Sequence, residues 1–126
     1  MNFENISFIK AMSYMSLYYE NICTPIQRVV EYDFICERKK RFYKIKVIYS
    51  KNKKGDGNYE VNLRSSGGYN KTNSVKKDFD NTSCFWLFVS TPELCYLIPA
   101  SKINNKRSLN TKLFKKYEIR GNSSVG

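Results

Sequence analysis

Apolar residues near the start of the chain recur at helical spacing: Ile6, Ile9, Met12 or Ser13, Met15 and Tyr19. This pattern predicts a helix from about Ile6 to Glu20, with Asn5 as its N-cap. Pro25 falls in the connection that follows. From Val29 the pattern changes to alternation. "VVEYDFICE" (Val29 to Glu37) predicts a strand, "RKKR" a tight basic turn and "FYKIKVIYS" the return strand, so the two pair as a hairpin. In the return strand Lys44, Lys46 and Ile48 share one face, while Ile45, Val47 and Tyr49 share the other. Two lysines and an isoleucine on one face of a strand need an explanation.

"KKGDG" signals a further turn, and "NYEVNLR" is a third strand with alternating apolar positions. "SSGGYNKTNSVKK" is polar, glycine-bearing and basic, and predicts an exposed loop. "DFDNTSCFWLFVST" contains a strongly apolar strand, and "ELCYLIPA" is the next strand after a turn at Pro92. From Ser101 basic and apolar residues alternate up to Arg120, and "GNSSVG" (121–126) is expected to be a flexible tail. No repeat or linker divides residues 1–120, which are expected to form one domain. A helix, then several strands, then a basic C-terminal segment give an α+β fold around a central mixed sheet.

Charge changes this picture most. The 126 residues carry 22 Lys plus Arg against 11 Asp plus Glu, a net charge of +11. A surplus that large on one small domain favours a polyanionic partner, the bland alternative being a merely soluble basic surface. The longest apolar runs are too short to span a bilayer, and no basic-then-apolar leader is visible, so neither a membrane nor export is expected. Cys23, Cys36, Cys84 and Cys95 are scattered without a CxxC pair and the chain has no histidine, so the usual zinc-ligand spacings are absent. The cysteines read as buried or free thiols in an intracellular, reducing compartment. The absence of histidine removes Cys-His and Ser-His-Asp catalysis.

Pro25, Tyr32 and Asp33, "RFYKIKVIYS", and the run "YEVNLRSSGG … KKDFD … LFVSTPELCYLIPASKI" together resemble the PD-(D/E)XK nucleases associated with group I introns, a class of homing endonucleases. The resemblance covers Pro25 to Ile103, about two thirds of the chain, and its distal half is the most specific part. It implies a PD-(D/E)XK nuclease-like core in which Mg²⁺ is held by carboxylate and amide oxygens and a lysine orients the nucleophile. In that family a helix glutamate, the Asp of "YD", and the Gln and Lys of a "QVK" strand fill these roles. Asp33 keeps the aspartate position. The glutamate's counterpart falls at about Phe8, with Glu4 the only carboxylate nearby; the glutamine's counterpart is Lys46 and the lysine's is Ile48. Three of the four catalytic positions are thus replaced, and the Lys44–Ile48 strand reads as the remains of an active site.

The expected function is therefore nucleic-acid binding without catalysis, as a DNA-binding regulator, an intron-splicing helper or a ribonucleoprotein component such as a ribosomal one. No cofactor is expected. The alternative is an active Mg²⁺-dependent, site-specific homing endonuclease in which a migrated set of Glu31, Asp33 and Lys46 holds the metal. The expected nucleic-acid surface comprises Arg38, Lys39, Lys40 and Arg41; Lys51, Lys53 and Lys54; Arg64, Lys71, Lys76 and Lys77; Lys106 and Arg107; and Lys112, Lys115 and Lys116. Tyr43, Tyr49, Tyr59 and Tyr69, interleaved with these charges, are either ordinary strand residues or rings that stack on unpaired bases. The loop "SSGGYNKTN" is the best candidate for reaching into a groove. DNA or structured RNA would serve as partner, with a homo-oligomer or ribonucleoprotein proteins as further partners.

Overall fold

The computed structural model describes residues 2–29, 31–66 and 76–119. A single long helix, α1 (Phe3–Ser16), opens the fold. It starts earlier than the apolar spacing predicts because Asn2, in extended conformation, caps it: the Asn2 side chain accepts from the Asn5 backbone N–H at 2.8 Å. Asn5 lies inside the helix. The buried face also differs from the expected stripe. Ser7, Ala11 and Met15 are fully buried, whereas Ile9 is half exposed. A polar Ser7 is tolerated inside because its hydroxyl donates to the Phe3 carbonyl and contacts the Ser90 hydroxyl at 2.9 Å.

The strands are β1 (Asn21–Cys23), β2 (Phe34–Arg38), β3 (Arg41–Tyr49), β4 (Lys53–Lys54), β5 (Asn58–Asn62), β6 (Ser65–Ser66), β7 (Lys76–Lys77), β8 (Trp86–Ser90), β9 (Cys95–Pro99) and β10 (Ser108–Asn110). The central sheet runs β1-β2-β3-β8-β9, antiparallel except for the parallel β3–β8 pair. That one parallel pairing makes the sheet mixed, as expected. The three-residue β1 falls in the segment read as a connection. The strand expected from Val29 begins only at Phe34. Among the described residues a second sheet, β10-β5-β4, and a two-stranded β6–β7 ladder complete the strands. Residues 111–117 form 3-10 turns within the basic C-terminal segment, where the sequence pattern assigned no element.

Alternation along the central strands builds two cores. Phe34, Cys36, Ile45 and Phe88 face α1 and pack with Ala11 and Met15. On the opposite face Ile48, Leu87, Val89, Tyr96 and Ile98 pack with Val61 and Leu63 around β5, Leu109 on β10, and Phe79, Cys84 and Ile103. The face division read for Lys44–Tyr49 therefore holds: Ile45 and Val47 lie toward the helix, and Ile48 lies in the second core.

"RKKR" forms the β2–β3 hairpin tip with Arg38 paired to Arg41. The two-residue loop puts Lys39 and Lys40 at φ 51° and 64°, the backbone of a type I′ turn that normally selects Asn-Gly. The Glu20 carboxylate accepts from the Lys39 backbone N–H at 2.6 Å and helps hold this unfavourable conformation. The four cysteines are free thiols, Cys36 and Cys84 buried. Among the described residues no helix is long and apolar enough to cross a membrane. The tail at 121–126 lies outside the described residues.

Candidate functional site

Asp33 immediately precedes β2, and its backbone N–H donates to the Ile45 carbonyl at 2.8 Å. Phe34, the first residue of β2, also pairs with Ile45, so Asp33 and Phe34 meet the same residue of β3. The Asp33 Oδ2 accepts from the Val47 N–H at 2.6 Å. Burial pushes the Asp33 carboxyl up, against the pull of that N–H and of the charges on Lys46 and Arg28, while Glu4 adds a small push in the same direction as burial.

The four positions assigned to catalysis by the resemblance have distinct fates. Asp33 is half-buried at the sheet end, with one oxygen engaged. The charge of Lys46 acts on it. Ile48 is about 9 % exposed and belongs to the second core. The Phe8 ring packs edge-on to Phe34 at 5.7 Å against the helix-side core. Glu4 lies one helical turn before Phe8 and acts electrostatically on Asp33. Spacing alone named it as a neighbour, and the fold brings its charge to bear; Arg28, which acts on Asp33 as well, was missed because it lies outside any recognisable motif.

The alternative set is partly assembled. Lys46 acts on both Asp33 and Glu31. Glu31, however, meets the Lys77 ammonium at 3.4 Å, and its carboxyl is held below the usual range by its own backbone N–H and then by Lys77. Glu31, Lys46, Lys77, Asp78 and Asp80 line a cleft of about 40 Å³. Mg²⁺ requires close to six oxygen donors. At Asp33 one carboxylate oxygen already accepts from the Val47 N–H, the charge of Lys46 acts against a cation, and Ile48 and Phe8 offer no donor, so this donor set does not suit the ion. Among the described residues no three His, Cys, Asp or Glu side chains converge as metal ligands.

A pH series tests the reading of Asp33. Its folded-state pKa is raised, so the stability it contributes is present below the ordinary carboxylate range and is lost as pH rises through the folded value. Asp33→Asn keeps an oxygen for the Val47 N–H and removes the titration. The melting temperature of Asp33→Asn relative to the natural chain is expected to rise between pH 3 and pH 7. A gap that shrinks over that interval would contradict the burial argument.

The basic residues divide into two sorts. Among the described residues three ion pairs form: Lys53–Glu93 at 2.8 Å, Arg64–Asp78 at 3.1 Å and Lys77–Glu31 at 3.4 Å. These expected contact residues therefore have carboxylate neighbours competing with any phosphate. Lys51 and Lys116 lie over the Phe3 and Tyr117 rings. Arg38, Lys39, Lys40, Arg41, Lys54, Lys106, Arg107, Lys112 and Lys115 are exposed and take no part in the three pairs. Tyr59 is buried, so it packs as an ordinary strand residue. Lys71, Tyr69 and most of the "SSGGYNKTN" loop lie outside the described residues, as does the side chain of Lys76.

Residues 7–124 match a family profile described as PD-(D/E)XK endonuclease. The fold is similar to that of a solved bacterial homing endonuclease, with a TM-score of 0.65, 18% sequence identity, and coverage of 84% of this chain and 73% of the other. No curated protein matches the sequence.

Proposed function

The chain belongs to the PD-(D/E)XK endonuclease family, and from that premise we propose that it binds nucleic acid without cleaving it. One observation carries the second half of this reading. Asp33, the retained carboxylate, spends an oxygen on the Val47 N–H and feels the charge of Lys46, while Ile48 and Phe8 sit in apolar packing. Phosphodiester cleavage in this fold relies on a metal to activate water and to neutralise charge at the phosphate. The Lys46 charge offsets the pull that the lone carboxylate would exert on the cation.

The binding half rests on the family, the charge of +11 and the exposed basic hairpin tip. Strand ends and loops that once flanked a scissile phosphate keep their cations after the metal ligands are gone. The role is then that of a DNA-binding regulator, a splicing helper or a ribonucleoprotein component. One observation favours the alternative of an active Mg²⁺-dependent endonuclease: the charge of Lys46 acts on both Glu31 and Asp33.

The deciding experiment incubates the purified protein with its best-binding duplex in Mg²⁺ and in Mn²⁺. Retention of the duplex without site-specific cuts is the expected result. Specific cleavage abolished by Asp33→Ala or Glu31→Gln would establish the migrated site instead.

A further inference from the structure

Four aromatic rings meet at the end of the central sheet from which the basic hairpin tip projects. Tyr19 packs edge-on to Tyr43 at 5.4 Å between centroids, Tyr43 to Phe85 at 4.8 Å, and Phe85 to Trp86 at 5.1 Å. The Trp86 indole N–H donates to the Tyr19 hydroxyl at 2.9 Å, closing the chain of contacts on itself. These rings are not sealed inside: Tyr19, Tyr43 and Trp86 stay partly exposed, and Phe85 is 50% exposed. Single exposed apolar residues are ordinary, but rings in mutual contact form a patch with a preorganised shape.

The charge around the patch selects its occupant. Tyr43 pairs with Cys36, so it lies two residues from the hairpin-tip pair Arg38 and Arg41. The Phe85 N–H donates to the carbonyl of Lys44, the neighbour of Tyr43. The positive charge of Arg38 reaches the Tyr19 hydroxyl. Two carboxylates oppose these cations. Glu20 accepts from the Lys39 backbone and Glu37 from the Asn21 amide. Arg38, Lys39, Lys40 and Arg41 outnumber them. A second copy of the chain would set these cations against one another across the contact, which opposes self-association through this patch. Unpaired nucleotides suit both features, since bases present flat π faces to rings and phosphates present charge to cations.

The geometry points to the Tyr19–Tyr43–Phe85–Trp86 cluster as a stacking platform for unpaired bases, with Phe85 as the ring a base lies against and Arg38 and Arg41 holding the adjoining phosphates. This assignment rests on the nucleic-acid-binding reading above and narrows it to single-stranded or looped-out nucleotides.

The test compares the natural chain with Phe85→Leu and Phe85→Tyr, titrated with labelled oligothymidine and with a mixed-sequence duplex. Leucine keeps an apolar side chain and removes the π face; tyrosine keeps it. Phe85→Leu is expected to lose about 5- to 150-fold in affinity for oligothymidine, the range given by one stacked base. Its duplex affinity should be unchanged, and Phe85→Tyr should restore single-strand binding. Trp86, the only tryptophan, should report the stacking as altered emission in the natural chain. Phe42, 66% exposed, points to the opposite face of β3 from Tyr43, so Phe42→Leu should leave oligothymidine binding intact. Equal losses for oligothymidine and duplex, no loss, or an equal loss in Phe42→Leu would overturn the platform. A natural chain that binds duplex but not oligothymidine would overturn it too, leaving the broader reading in place. Binding to neither would overturn both. Self-association that sedimentation shows to vanish in Phe85→Leu would reassign the patch to a second copy and overturn the proposal.

Discussion

Replacing Arg38 and Arg41 by Gln, Lys39 by Asn and Lys40 by Gly in one chain should weaken nucleic-acid binding about a thousandfold near physiological salt. This follows if each of the four cations contributes on the order of 1 kcal/mol at a phosphate. The log–log salt dependence should flatten by roughly 3 to 4, because each phosphate contact on duplex DNA contributes about 0.9 to the slope. The variant is chosen so that loss of binding cannot be mistaken for loss of fold. Lys39 and Lys40 occupy left-handed backbone positions, and Asn-Gly is the pair that such a two-residue turn prefers. The hairpin should therefore form at least as readily in the variant. Titrations at several salt concentrations measure both quantities. Full affinity with an unchanged slope would remove the hairpin tip from the contact surface and direct attention to Lys112, Lys115 and Lys116, which are exposed in the C-terminal turns.

Phe88→Ala is expected to lower stability by about 3–5 kcal/mol, the usual range for removing a fully buried phenylalanine. Phe88 is about 1 % exposed at the middle of β8, paired with Val47 on one side and Leu97 on the other. Its ring lies 6.3 Å from that of Tyr14 on α1, so it joins helix to sheet. A domain of this size has roughly 5–15 kcal/mol to lose, so the variant should sit at the edge of folding at 37 °C. Urea denaturation provides the measurement, with Ile9→Ala as the comparison. Ile9 is half exposed on the helix, and its truncation should cost within about 0.5 kcal/mol. Comparable costs for the two would mean that α1 packs through a different face.

Alternation made the central strands legible. "FYKIKVIYS" and "LCYLIPA" carry apolar residues at period two, and each falls on the strand and face that this period implies. The hairpin followed from four consecutive cations between two such runs. The helix was found, but its buried face was misread, because Ser7 is buried through hydroxyl contacts that reach to Ser90 in the distant β8. No local pattern announces such a partner. β1 and β10 escaped for a related reason: three-residue strands owe their existence to the neighbour they pair with, Glu37–Ile35 for β1 and Asn62–Glu60 for β10. At the candidate site the position of Asp33 was readable from its place before the hairpin. Its bond to Val47, the ion pairs that occupy Lys53, Arg64 and Lys77, and the ring cluster around Phe85 depend on residues far apart in the chain.

The parallel β3–β8 pair governs how quickly this protein can fold. The β2–β3 and β8–β9 hairpins join residues close in sequence and can close early. The strands at the centre of the sheet meet only after the whole chain between Tyr49 and Trp86 has been looped back, at a cost in chain entropy that neither hairpin bears. The rate-limiting event should then be the docking of two hairpins already formed. β4 and β5 lie inside that loop, so the small sheet should assemble late, upon a finished central one. In stopped-flow refolding, Val47→Ala and Val89→Ala at the β3–β8 contact should slow folding, whereas Val61→Ala in β5 should mainly speed unfolding.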